Sequence, residues 1–238
     1  MTAAASRPHD HLDGPASSRP AAAASMYKRA LGTLAGLALG DAVGMPTQSM
    51  SPEQIRQHYN TITGLHDAVA EQPIAPSMPA GSITDDTEQA LLLAGLLVEG
   101  GGRIDPLRLA EALLSWEDDM RARGSLDLLG PSTKHALERV RTGADPRQTG
   151  REGTTNGAAM RVAPVGIAFR LGTTGDGLAQ AVHESCLVTH DTRQGFEAAG
   201  LIAAAVSAAI DGADAASALE TALSFVSAHP EEGHWTEK

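Results

Sequence analysis

Wherever this 238-residue chain shows a hydrophobic period, the period is that of a helix. No segment alternates apolar and polar side chains well enough to read as a strand, and no repeat of 20–50 residues is found. Aromatic residues make up only 3% of the chain, against 25 glycines, so the helices must pack through small contact residues. The expected fold is therefore all-α, an orthogonal multi-helix array. Residues 1–25, rich in Ala, Pro and Ser, read as a disordered tail, and residues 26–238 as a single domain.

Charge and cysteine usage narrow the function classes. Acidic residues outnumber basic ones 29 to 18, giving a net charge of −11, which argues against a nucleic-acid surface. A single cysteine, Cys186, rules out an internal disulfide and suits a reducing cytoplasm. The N-terminal segment has no continuous apolar stretch of the secretory kind. The apolar run from Leu31 to Val43 is too short for a membrane span and contains Asp41, so a membrane partner is not expected.

Along the chain, a helix from Tyr27 carries Gly32, Gly36, Gly40 and Gly44, a ridge that would let another backbone approach closely. Met45-Pro46 ends it and leaves Asp41 near its C-terminal end, where the helix dipole disfavours a carboxylate and some partner must compensate. Ser51-Pro52-Glu53-Gln54 is a capping box for a helix to about Tyr59. Residues 60–83 read as loop, with Pro73, Pro76 and Pro79 favouring extended polyproline II. Further helices are expected over 86–99, from Asp105-Pro106 with Leu109, Leu113 and Trp116 inward, and from Gly130-Pro131 to about Arg141. Others follow over Ala158–Arg170, with Pro164 as a kink or near the first turns, 176–188, 193–210 and 213–228. Glu117-Asp118-Asp119 reads as a solvated acidic turn, and Met160 as core.

Two polar stretches carry chemistry. Thr84-Asp85-Asp86-Thr87-Glu88 opens the 86–99 helix with five oxygen-bearing side chains. Helix capping accounts for one or two of them; a hard-cation site, built from carboxylate and hydroxyl oxygens, accounts for more. Gly153-Thr154-Thr155-Asn156-Gly157 is a small polar turn before a helix, with backbone N–H groups suited to a phosphate. Arg161 behind it is either an ion-pair partner or a support for the site. His183, Cys186 and His190 raise a zinc reading, but tight spacing on one helix rarely wraps a tetrahedral ion, and Thr189-His190-Asp191 reads better as a junction between helices.

Taken in order, Arg29–Gln48, Ile83-Thr84-Asp85-Asp86-Thr87, Asn156-Gly157-Ala158-Ala159-Met160-Arg161 and Thr189-His190 resemble the ADP-ribosylglycohydrolase family, from about residue 27 to at least 212. The resemblance implies a metal-dependent hydrolase that cleaves an N- or O-glycosidic bond at the anomeric carbon of ribose, in ADP-ribosylated protein or a small ADP-ribosyl compound. It implies Mg²⁺ or Mn²⁺, as two ions in a complete protein, with Thr84, Asp85 and Asp86 as metal ligands and Asp85 and Asp86 in catalysis. By motif position Gly153, Thr154, Thr155 and Asn156 would hold the diphosphate and ribose, with His190 beside them.

Two departures stand out. Gln48 occupies a position where many members carry an acid, and Gln cannot take a proton from water. The family's second metal motif, Asp-x-Asp-Thr, does not occur after residue 87, so the chain is expected to be the N-terminal two-thirds of a member and inactive or nearly so. Hydrolysis of another small riboside, a non-catalytic ADP-ribose or nucleotide binder, and a purely structural role are the rival readings.

Overall fold

The computed structural model describes residues 18–123, 129–172 and 177–230. Among the described residues there are ten α-helices and no strand, which fulfils the all-α expectation. The first helix, α1, runs Ser18–Gly44 and so begins inside the segment read as tail. The Ala21–Ala24 run explains the difference: alanine has the highest helix propensity without any apolar period, and Pro20 falls in the first turn, where a missing N–H costs nothing. Residues 1–17 lie outside the described residues.

The following helices start where local chemistry says they should. In α2 (Pro52–Tyr59) the capping box is complete: Gln54 N–H donates to Ser51 Oγ at 3.3 Å, and Ser51 N–H to Gln54 Oε1 at 2.8 Å. Thr84 caps α3 (Asp85–Glu99) and Asp105 caps α4 (Pro106–Ala122), whose Leu109 and Leu113 are fully buried. Pro131 opens α5 (Pro131–Arg141). The next helix breaks in two at Val162, giving α6 (Gly157–Arg161) and α7 (Ala163–Ala168), with Pro164 in the first turn of the second piece. Helix α8 (Gly177–Cys186), α9 (Arg193–Asp211, capped by Thr192) and α10 (Ala215–Ala228, capped by Asp214) complete the chain.

Helix α9 is the centre, packed by α6, α7, α8, α10 and α1. Its inward face is mostly small: Ala199, Gly200, Ala203, Ala204 and Ala208. Close approach is real here, because a Cβ on Gly166 of α7 would lie 2.4 Å from the Ala203 carbonyl oxygen. Leu93, Leu97, Leu113, Val165, Leu178 and Phe196 fill the core around it, each contributing about 1.5–3 kcal/mol by burial.

Three sequence expectations fail, each for a tertiary reason. The glycine ridge of α1 meets nothing, since a Cβ at Gly32, Gly36, Gly40 or Gly44 would have no atom within 4 Å, and Ala42 is the one fully buried side chain of the described α1 side chains. The Pro73–Pro79 segment is folded into turns rather than extended. Gln72, 2% exposed, accepts from Ile74 N–H and Ala75 N–H and donates to the carbonyls of Met45 (3.1 Å) and Gln48 (3.3 Å), winding the loop around itself. Glu117-Asp118-Asp119 lies within α4; Glu117 is buried and pairs with Arg121 at 2.6 Å and Arg141 at 3.0 Å, so it is no solvated turn.

Candidate functional site

Helix α1 ends against the start of α3, and Asp41 makes the join. Its Oδ2 accepts from Thr84 N–H (2.8 Å), Thr87 N–H (3.2 Å) and Thr87 Oγ1 (2.6 Å), and its Oδ1 from Thr84 Oγ1 (2.7 Å). A carboxylate disfavoured at one helix's C-terminal end is thus stabilised at another's N-terminus, where two backbone N–H groups lack intrahelical partners. The sequence signalled that Asp41 needed a partner; it did not say which, because the partner lies 43 residues away.

Beside this join, Asp85 is 3% exposed and Asp86 half-buried. Burial, with Asp86 and Asp41 alongside, pushes the Asp85 carboxyl up to about 7. Burial and Asp41 likewise hold Asp86 above the usual carboxylate range. Such crowding of like charge disfavours ionisation and favours a bound cation. Glu88, the last acid of the cluster, points elsewhere, accepting from Trp116 Nε1 at 2.6 Å and Arg123 at 3.2 Å.

The donor chemistry fits a hard cation in kind. Asp41 takes the Thr84 hydroxyl hydrogen and Asp86 N–H donates to the same oxygen, which leaves one lone pair on Thr84 Oγ1, 3.2 Å from Asp86 Oδ2. The number falls short of the six oxygens of an octahedral ion, and among the described residues no three acidic, histidine or cysteine side chains are grouped closely enough to hold a metal. The same finding covers His183, Cys186 and His190. His183 faces Asp191 at 3.1 Å, and Cys186 is buried with its thiol pushed up to about 12 by desolvation.

A cleft of about 420 Å³ opens between α1 and these acids, lined by Gly40, Asp41, Gln48, Asp86, Asn156 and Met160 among others. An adjoining recess of about 60 Å³ is lined by Gln48, Asp85, Asp86, Thr155 and Asn156 among others. The open glycine ridge of α1 therefore has a role after all: Gly36, Gly40 and Gly44 form a cleft wall without side chains. Met160 lines both spaces instead of the core, because the break at Val162 turns α6 toward the cleft.

The turn at 153–157 is only partly at the cleft. Thr155, Asn156 and Gly157 line the recess. Gly153 is buried against the 189–190 backbone, where a Cβ would lie 1.9 Å from the Thr189 carbonyl oxygen, and Thr154 lines neither space. Three of the turn's backbone donors are engaged: Gly153 N–H reaches Gly150 O at 3.0 Å, and Thr154 and Thr155 N–H reach Ser132 Oγ at 3.3 and 3.4 Å.

His190 sits behind the turn, fully buried. Gly157 admits it, since a Cβ there would lie 2.5 Å from His190 Cε1. Its two nitrogens meet Thr155 Oγ1 at 2.9 Å and Thr189 Oγ1 at 2.8 Å. Arg161, also fully buried, has no carboxylate bonded to it among the described residues; it donates to Gln89 Oε1 (3.1 Å), Ser185 O (3.0 Å) and Thr189 Oγ1 (2.6 Å). Burial lowers its pKa to about 10, with Cys186 and Asp85 opposing the shift. Arg161 is thus neither an ion-pair partner nor at the cleft.

That chain of bonds starts at Arg161, which can only donate, so Thr189 Oγ1 accepts from it and also meets His190 Nδ1. Burial, then the charge of Arg161, drops the His190 pKa to about 3, so the ring is neutral. Its other nitrogen, Nε2, bonds Thr155 Oγ1 and holds that hydroxyl from behind.

With this geometry in place, similarity to known proteins becomes decisive. The sequence model of the ADP-ribosylglycohydrolase family matches residues 22–238. The chain belongs to the ADP-ribosylglycohydrolase family. It is 34% identical over 205 residues to the uncharacterized protein YegU of Escherichia coli K12, covering 86% of this chain and 60% of the relative. It is 33% identical over 211 residues to the ADP-ribosylarginine hydrolase Tri1 of Pseudomonas putida, covering 85% and 52%. To the ADP-ribosyl-[dinitrogen reductase] glycohydrolase of Rhodospirillum rubrum it is 33% identical over 147 residues, covering 60% and 46%. This ADP-ribosylglycohydrolase-family chain thus spans between about one third and three fifths of the length of the curated relatives it matches. Among its described residues, no helix is long and apolar enough to cross a membrane.

Proposed function

We propose that the cleft binds ADP-ribose and serves the hydrolysis of a glycosidic bond at the ribose anomeric carbon, in ADP-ribosylated protein or a small ADP-ribosyl compound. The observation that carries this reading is convergence: Asp86 of α3 and Asn156, seventy positions on, line one cleft and its recess. The names of two relatives, an ADP-ribosylarginine hydrolase and an ADP-ribosyl-[dinitrogen reductase] glycohydrolase, point to the same chemistry.

Thr84, Asp85 and Asp86 would hold Mg²⁺ or Mn²⁺, which when bound supplies positive charge against ligand oxygens. Asp41 orients Thr84 for this by taking its hydrogen. Asp86 and Asn156 border the ligand, and Met160 and the α1 glycines give it an apolar wall. His190 and Gly153 act from behind, fixing Thr155 and the turn. Gln48 reaches the same space as a neutral amide and cannot act as a base.

Because the donor set is short, the chain should bind ADP-ribose in the presence of Mg²⁺ and turn over substrate slowly or not at all. Calorimetric titration with ADP-ribose, with and without MgCl₂, tests the first part; incubation with ADP-ribosyl-arginine or O-acetyl-ADP-ribose tests the second. Absence of any ADP-ribose affinity with Mg²⁺ present refutes the reading. Rapid turnover refutes the view that the donors are too few.

A further inference from the structure

One oxygen at the inner end of the cleft has no use within the protein. Gln48 Oε1 is buried, and no hydrogen-bond donor reaches it among the described residues. A buried amide oxygen left unpaired forfeits its hydration without return, so its presence calls for a partner from outside the chain. Gln48 lines the recess of about 60 Å³ together with Asp85 and Asp86. It also lines the cleft, together with Asp41, Thr84 and Asp86.

The backbone that carries this side chain is held on both sides. Gln72 Nε2 donates to Met45 O at 3.1 Å and to the Gln48 carbonyl at 3.3 Å, tying the segment after α1 to the loop that follows α2. The next residue, Ser49, adopts φ 59°, a left-handed conformation that a non-glycine residue holds only when its surroundings fix it. Gln48 is therefore delivered to the recess from a fixed start, with less freedom left to lose on meeting a ligand.

The neighbours decide the kind of partner. Asp85 and Asp86, when ionised, are acceptors like the amide oxygen and have no hydrogen to give it. A phosphate oxygen has none either, and it would meet carboxyl groups on the same wall. Acceptors gathered around one space are satisfied together by a positive centre. Hard divalent cations accept carboxylate, hydroxyl and amide carbonyl oxygens alike. An amide also supplies its oxygen without adding charge, where Asp41 and Asp86 already share the cleft and Asp85 the recess.

We propose that Gln48 Oε1 is a ligand of the divalent cation, joining Thr84, Asp85 and Asp86 as a neutral fourth donor. The inference rests on the reading of those three residues as a cation site and extends it. Gln48 cannot serve as a base, but its oxygen lengthens a donor set that is otherwise short. The ion then bridges the segment after α1 and the start of α3, the same two elements that Asp41 joins by hydrogen bonds.

Mn²⁺ alone, without ADP-ribose, tests this on the whole chain. Binding is read from the electron paramagnetic resonance of the free ion, and folding from the thermal unfolding midpoint. A chain carrying both Asp85→Asn and Asp86→Asn sets the level of adventitious binding. Gln48→Met keeps length and removes the oxygen. Its Mn²⁺ affinity should fall about tenfold or more, since replacing even a residue behind the ligands of a metal site costs about 10–100-fold. Its midpoint without metal should stay level or rise, because an unpaired buried oxygen is gone. Gln48→Glu keeps an oxygen there and adds a charge, so it should bind Mn²⁺ at least as tightly as the unsubstituted chain while its metal-free midpoint falls. Equal Mn²⁺ affinity in Gln48→Met, or a metal-free midpoint that drops in that variant, overturns the ligand: the oxygen then holds a water or an internal donor, and the cation site and the ADP-ribose reading stand. Mn²⁺ binding in the unsubstituted chain no stronger than in the doubly substituted one overturns the cation site with it. Loss of the ADP-ribose reading alone, by the calorimetric titration, leaves Gln48 a metal ligand.

Discussion

The two walls of the cleft are built from polar networks of opposite sign, and they do different work. On the acidic side Asp41 accepts four hydrogen bonds from Thr84 and Thr87. On the far side Arg161 donates to Gln89, Ser185 and Thr189. Asp41 lines the cleft, whereas Arg161 is sealed from solvent. The acidic network therefore turns two carboxyl groups, Asp85 and Asp86, toward the cleft and its recess. The basic network delivers no charge there; through Thr189 and His190 it holds one hydroxyl, that of Thr155, in place. One wall attracts and the other aligns.

The comparison breaks most severely at Arg161. Arg161→Ala leaves three buried acceptors without their donor and should destabilise the fold by roughly 3–5 kcal/mol, read from urea unfolding. Arg161→Met refills the volume and should recover only part of that loss. Full recovery would mean the guanidinium was packing material. On the opposite wall, Asp41→Asn keeps shape but turns one acceptor atom into a donor facing donors. It should cost about 2–3 kcal/mol, less than Arg161→Ala because the cleft lets water reach the orphaned groups. A larger cost than Arg161→Ala would invert the comparison.

How much of this was legible follows from how far each interaction reaches along the chain. Helix starts at Ser51, Thr84 and Asp105 were readable because capping partners sit within three residues, and the start at Pro131 because proline suits a first helical position. Asp41 advertised its need through its place near a helix end, yet its partners on α3 are set by tertiary packing. Glu117 looked solvated because Arg141 lies 24 residues further on. The four-residue glycine spacing on α1 was real, but spacing cannot tell a ridge met by a backbone, as Gly166 is, from one facing open space. For His190, placement behind the turn had one usable signal: Gly157 follows Asn156 at a helix start, and a glycine there admits a ring that a Cβ would exclude. Nothing in the local pattern revealed that Ser132 would take up the Thr154 and Thr155 amides.

Acid sharpens the contrast between the walls. His190 titrates near 3 in the fold and near 6.5 when free, so below about pH 6.5 the unfolded chain binds the proton first and stability declines. The slope is about 1.4 kcal/mol per pH unit, giving about 2 kcal/mol between pH 6.5 and 5. Urea unfolding of the chain and of His190→Gln across this range should differ in slope by that amount. Equal slopes would mean that His190 is protonated in the fold or unfolds locally, and its part as a neutral, buried support of Thr155 would be lost.

The smallest effect separates the two supports of Thr155. Ser132→Ala removes two long hydrogen bonds, 3.3 and 3.4 Å, to the amides of Thr154 and Thr155. Thr154 is exposed and water can replace one of them, so about 0.5 kcal/mol of stability should go. If the turn owed its alignment to Ser132, ADP-ribose affinity would fall with the serine. With the hydroxyl set from behind by His190, affinity should change less than twofold, while Thr155→Val loses about ten times. A Ser132→Ala chain that binds as poorly as Thr155→Val would move the aligning role from the buried relay to the surface.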